Sequence, residues 1–153
     1  MARLDLTLTE LATSGPDAPL LVVGPSLGTS VAVLWGLAAA RLGGGYTVLG
    51  WDLPGHGSSA PATGFDVADL AAGVVAALDA RVGPAAAFHY AGDSLGAAVG
   101  LQLLLDASDR VSSATLCCTG AKIGMPDGWY ARAATVRSEG TSSRRVNFRS
   151  ISE

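Results

Sequence analysis

The residues Gly92-Asp93-Ser94-Leu95-Gly96 carry the most specific chemical signal in the chain. A serine flanked at two positions on either side by glycine recurs often by chance, so the pattern needs its context. It follows the apolar run Phe88-His89-Tyr90-Ala91 and opens an alanine-rich segment through Ala97, Ala98 and Val99. That is a strand, a sharp turn and a helix. Such a turn brings strand and helix so close that side chains at 92 and 96 would collide, which glycine avoids. Ser94 is then expected in strained backbone, its hydroxyl above the sheet edge and beside a helix N-terminus that favours developing negative charge. The chemistry implied is nucleophilic attack by Ser94 on a carbonyl carbon. The plain alternative is an ordinary glycine-rich turn.

A second segment agrees with the first. Gly24-Pro25-Ser26-Leu27-Gly28-Thr29-Ser30 also joins an apolar run to a helical one, and the backbone N–H groups of Leu27 and Leu95 are the candidates to hold a tetrahedral oxyanion. The loop lacks the Gly-Lys-Ser/Thr ending of a phosphate-binding P-loop, so a nucleotide is a poor reading. The two histidines are not taken as the base. His56 lies in a tight Pro-Gly-His-Gly turn, where a histidine braces the loop by hydrogen bonds, and His89 lies within the strand before the turn, packed into the sheet flank. Adjacent Cys117 and Cys118 point to opposite faces of a strand, which makes a disulfide between them implausible. Without a nearby histidine they make no zinc site, and buried packing in a reducing compartment is expected. The reading calls for no cofactor and no metal.

The elements that must position these residues alternate between strand and helix. Leu4–Leu8 alternates with period two, as a half-buried edge strand does, and Leu20–Val23 is a short apolar run between Pro19 and Gly24. Ser30–Leu42 is apolar and alanine-rich, closes on three glycines and reads as a buried helix; Tyr46–Trp51 is a strand. Asp66 reads as an N-cap with Asp69 in the first turn, and Val67, Leu70, Val74, Leu78 and Val82 follow at helical spacing. Ala85–Ala91 is the next strand, Leu95–Ala107 a helix, Val111–Cys118 a strand and Asp127–Glu139 a helix. Repeats of this kind give an α/β fold, a mostly parallel sheet with helices on both faces.

The 153 residues suit one domain with a single core. A hydrophobic share of 49% and a charged share of 15% exclude a disordered chain. With a net charge of −3 and no basic stripe in residues 1–140, no nucleic acid partner is expected. No apolar run is long enough to span a membrane, and the first residues lack the layout of a signal peptide, so a cytoplasmic enzyme is expected. Residues 141–153 carry four serines and three arginines with little apolar periodicity, so they read either as a solvated tail or as translation in a shifted frame.

The runs Gly24–Ser30, Trp51-Asp52-Leu53-Pro54-Gly55-His56-Gly57-Ser58 and Gly92–Gly96 resemble those of α/β-hydrolases. The Ser26-Leu27-Gly28-Thr29-Ser30 loop and Leu116–Gly124 narrow the resemblance to the 3-oxoadipate enol-lactone hydrolases. Trp129-Tyr130-Ala131-Arg132 and Val136–Gly140 resemble the first cap helix of that family. The resemblance covers residues 1–140, the N-terminal part of a hydrolase domain, with 141–153 an atypical tail. It implies a sheet reaching the sixth strand of that fold and the start of the cap. Ser94 would attack the carbonyl of a small lactone or ester, Leu27 and Leu95 amides would hold the oxyanion, and Trp129 and Arg132 would roof the pocket, Arg132 facing a substrate carboxylate. The family's triad histidine and acid follow the cap, and no histidine follows His89 here, so the chain is expected to be inactive by itself. Cys118 stands where the family usually has asparagine, and Asp93 where an apolar residue is common. Two alternatives stay open: a non-enzymatic remnant or interaction module, and an esterase or cofactor-free haloperoxidase relative using the same serine. The last strand is expected to leave an open edge and an uncovered apolar face.

Overall fold

The computed structural model describes residues 4–140. The chain divides between Thr119 and Gly120 into two compact units. The first holds strands β1 (Leu8–Ala12), β2 (Leu20–Gly24), β3 (Thr47–Trp51), β4 (Phe88–Asp93) and β5 (Val111–Cys117) with helices α1 (Val31–Leu42), α2 (Val67–Val82) and α3 (Leu95–Asp106). The sheet order is β1-β3-β2-β4-β5; β1 runs antiparallel to β3 and every other pair is parallel. This is the expected α/β architecture, with five strands among the described residues.

The two faces of the sheet are covered differently. Val22, Leu49, Trp51, Phe88 and Tyr90 point to one side and pack with Leu70, Val74 and Leu78 of α2 and Val99 and Leu103 of α3. Leu21, Val23, Val48 and Ala91 point to the other and meet Val31, Trp35 and Ala39 of α1. Period-two alternation in the strands thus builds a core on each face. Helix α2 begins where its sequence says: Asp66 Oδ1 accepts from Asp69 N at 2.9 Å, and Asp66 N donates to Asp69 Oδ2 at 3.1 Å. This reciprocal pair satisfies donors that no helical carbonyl can reach.

Several expectations are corrected. The edge strand is Leu8–Ala12, not Leu4–Leu8. Its register starts at Leu8 opposite Trp51, the last residue of β3, so no partner strand remains for Leu4 and Leu6. Leu6 instead packs beneath α2 beside Gly73. Helix α1 is not buried: only Val31 and Ala39 are, while Val33 and Leu37 are 80% and 81% exposed. An apolar helix with no polar face gives no sign of which side meets water. Cys117 and Cys118 are exposed rather than packed away. Cys117 continues the row of Ser113 and Thr115 on β5, and all three are exposed, so the open face of that strand is small and polar rather than apolar.

The second unit begins with an irregular segment and continues into α4 (Pro126–Glu139), in which no residue is buried. Trp129 Nε1 donates to the Ile123 carbonyl at 2.7 Å, tying the helix to the turn before it. Residues 141–153, read as a tail, lie outside the described residues.

Candidate active site

Ser94 occupies the N-cap position of α3 with φ 52° and ψ −111°, one of two non-glycine residues with positive φ among those described. An L-residue is held there only when its surroundings leave no alternative. Those surroundings are visible. Ser94 N donates to Cys117 O at 2.9 Å, which bolts the turn to the neighbouring strand. A Cβ at Gly92 would lie 2.5 Å from Gly96 O, and one at Gly96 would lie 2.5 Å from the Gly24 carbonyl carbon. Both glycines are therefore required by the crossing of β4, α3 and the end of β2. Ser94 makes no side-chain cap to its own helix, so its hydroxyl is not spent on α3.

The Gly24–Ser30 loop is fastened to this turn. Gly96 N donates to Pro25 O at 2.9 Å, directly linking the segment that carries Leu27 to the one that carries Leu95. Leu95 opens α3, where a backbone N–H has no partner within the helix. Ser30 then caps α1 by accepting from Val33 N.

Three residues that the sequence did not single out support the arrangement. Tyr90 is buried under the turn and its hydroxyl donates to Gly96 O at 2.7 Å, while Trp51 Nε1 donates to the Tyr90 hydroxyl at 3.3 Å. Burial pushes the Tyr90 phenol far above its ordinary range, so it stays a donor. Asp52, 2% exposed, accepts from Val31 N at 2.7 Å with Oδ1 and from Ser58 N at 3.1 Å with Oδ2. Its carboxylate is wrapped by Gly57 at φ 49°, which leaves no room for a Cβ. In the sequence Tyr90 and Trp51 read simply as apolar strand positions. The signal that could have found them is a hydroxyl and an indole N–H in buried strands beside Gly24 and Gly96.

Both histidines have other work, as their contexts suggested. His56 Nε2 accepts from Gly28 N at 3.2 Å and its Nδ1 lies 3.1 Å from Pro54 O. His89 Nδ1 lies 2.7 Å from Ser113 Oγ, and its ring meets Tyr46 edge-on at 5.7 Å. Asp93 is paired with Cys117 in the register of β4 and β5. The next thiol, Cys118, is held above its usual pKa, chiefly by its hydrogen bond to the Asp93 carboxylate and then by that group's charge. Trp129 and Arg132 belong to the second unit, where the Arg132 guanidinium stacks 5.0 Å from the centre of the Trp129 ring.

Comparison with known proteins agrees with the fold. The α/β hydrolase fold family matches residues 14–138. The chain belongs to this family. Among relatives of the α/β-hydrolase, 3-oxoadipate enol-lactonase 2 of Acinetobacter baylyi is 34% identical over 137 residues, which is 89% of this chain and 50% of that one. The enol-lactonase of Burkholderia xenovorans LB400 superimposes with a TM-score of 0.81 at 31% identity, covering 91% of this chain and 54% of that one. A thermophilic esterase from Thermogutta terrifontis gives 0.74 at 25% identity, covering 90% and 50%. The chain thus spans about half the length of these hydrolases. No helix among the described residues is long and apolar enough to cross a membrane.

Proposed function

We propose that this chain carries the nucleophile of a serine hydrolase acting on a small lactone or ester, of the 3-oxoadipate enol-lactonase type. The observation that carries the reading is Ser94 in left-handed backbone at the head of α3, with the Pro25 carbonyl tied to Gly96. Ser94 Oγ attacks the substrate carbonyl, the π electrons move to oxygen, and the Leu27 and Leu95 N–H groups receive the oxyanion. A histidine takes the serine proton and delivers it to the leaving oxygen, giving an acyl-serine that water hydrolyses. His56 and His89 are the only histidines of the 153 residues and both are engaged, so that base is supplied from outside them. The resemblance of the Trp129–Arg132 segment to the family's first cap helix supports assigning Trp129 and Arg132 to substrate binding, with Arg132 the group suited to a carboxylate. The setting is the cytoplasm.

The engaged histidines also favour a second reading, in which this polypeptide is a non-enzymatic module of hydrolase descent. One experiment separates the two. Residues 1–140 are joined to the C-terminal part of a working enol-lactonase, which supplies histidine and acid. The chimera should hydrolyse the enol-lactone faster than a neutral ester of similar size, and Ser94→Ala should abolish turnover. A folded chimera that preferred simple esters would end the lactonase reading but keep the serine hydrolase. One with no activity on either would leave the module.

A further inference from the structure

We infer that His56 is a positioning residue for the oxyanion loop, acting as a neutral imidazole with its proton on Nδ1; this rests on the reading of Leu27 as an oxyanion donor. Two contacts fix the imidazole, and they have opposite polarity. Pro54 O can only accept, so the Nδ1 atom 3.1 Å away must carry the proton. Gly28 N–H can only donate, so Nε2, 3.2 Å away, must present its lone pair. Only the neutral Nδ1–H form meets both demands. The other tautomer sets two acceptors face to face at Nδ1 and two donors face to face at Nε2.

The imidazole stands on a rigid base. His56 N donates to Leu53 O at 2.9 Å and Ser59 N donates to His56 O at 3.0 Å, closing the turn on itself. Ser59 Oγ donates to Asp52 O at 2.8 Å and accepts from Thr7 N at 3.0 Å. The buried Asp52 carboxylate holds Ser58 N on one side and Val31 N, at the start of α1, on the other. The loop between Gly24 and Val31 is therefore held at three points: Pro25 O on Gly96 N, Gly28 N on His56, and Val31 N on Asp52. Leu27 lies between the first two. Gly28 is the residue immediately after it, with φ 83°, so its peptide has no helix or strand to fix it. Without His56 the loop would keep its ends and lose its middle support, which sets the direction of the Leu27 N–H. A donor that must meet a developing oxyanion at hydrogen-bond distance depends on such fixing.

The test uses the full 153-residue chain labelled with nitrogen-15. Long-range proton–nitrogen correlation of the His56 ring should show a single ring proton, on Nδ1. In His56→Ala the Gly28 amide should exchange roughly five- to tenfold faster, and the Leu27 amide should lose order. His56→Gln, whose side-chain oxygen can reach the place of Nε2, should restore both. A proton on Nε2 would overturn the assignment, as would an alanine variant with unchanged Gly28 and Leu27 amides. If His56→Ala fails to fold, the tautomer in the unaltered chain decides. None of these readouts needs Ser94 to react. An inactive chimera with the Nδ1–H form intact would end the hydrolase reading and leave the brace without a catalytic purpose.

Discussion

Replacing Gly96 and Gly36 by alanine should move stability in opposite directions, although both lie in helices. Alanine in place of a helical glycine is worth about 0.5–1 kcal/mol from reduced chain entropy in the unfolded state. At Gly36, in α1, an added Cβ meets nothing within 4 Å, so this gain should appear undiminished. At Gly96 the same atom would lie 2.5 Å from Gly24 C, 2.6 Å from Pro25 O and 2.7 Å from Gly24 O. Carbon contacts are comfortable near ~3.5–4.0 Å, so α3 and the end of β2 must separate by about 1 Å. Overpacking against side chains that can yield costs ~1–3 kcal/mol. Here the obstacle is backbone, and the separation also stretches the Gly96 N to Pro25 O bond, worth ~1 kcal/mol. Set against the helical gain, Gly96→Ala should lose about 2 kcal/mol or more. Urea unfolding followed by far-ultraviolet circular dichroism measures this, with the midpoint falling by roughly 1 M. The Gly36→Ala midpoint should rise. Two variants within about 0.5 kcal/mol of each other would refute the argument that close approach of backbones fixes the turn.

Further outcomes follow from single groups. Asp52→Ala removes the acceptor for Val31 N and Ser58 N. It should cost about 2–4 kcal/mol in the same urea assay, with Asp52→Asn intermediate because one oxygen remains; an alanine variant as stable as the parent would argue against the clamp. Burial raises the Tyr90 pKa, so the stability linked to its neutral form is complete below about pH 10 and is lost as pH rises beyond it. In an alkaline titration one of the three tyrosines should therefore ionise only as the circular dichroism signal collapses. Ionisation of all three with the fold intact would contradict the burial. Asp93→Asn should lower the Cys118 pKa by removing the carboxylate that raises it, and so speed its alkylation by iodoacetamide near neutral pH. Peptide mass spectrometry distinguishes Cys118 from Cys117, and an unchanged Cys118 rate would dissociate the thiol from Asp93. In the 153-residue chain Ser94 should label slowly with a fluorophosphonate; rapid labelling that Ser94→Ala removes would reveal a base within these residues.

Much of this protein is determined locally. Asp66 and Asp69 start α2 because they can satisfy its orphan donors without help from elsewhere, and the spacing of Val67, Leu70, Val74 and Leu78 fixes its inner face. Gly92 and Gly96 announce a strand–helix crossing at Ser94 because only glycine fits there, so the sharp turn that carries the proposed nucleophile was legible together with its fold. His56 was legible as a brace from its Pro-Gly-His-Gly turn, although its partner, Gly28, lies 28 residues away and could not be read. Tertiary structure decided the rest, for identifiable reasons. The alternation of Leu4, Leu6 and Leu8 runs on into β1, and only the end of β3 at Trp51 decides where pairing starts. The alanine-rich helix α1 carries no polar stripe, so its exposed side depends on the sheet it meets. Cys117 and Cys118 look like core residues by type, yet the face of β5 on which Cys117 lies stays open. The supports under Ser94 join Trp51, Tyr90 and Gly96, and those above it join Asp52, His56 and the Gly24–Ser30 loop. Hydrogen bonds across 21, 28 or 39 positions leave no periodicity in a sequence. They exist only once parallel strands have carried distant segments to the same end of one sheet.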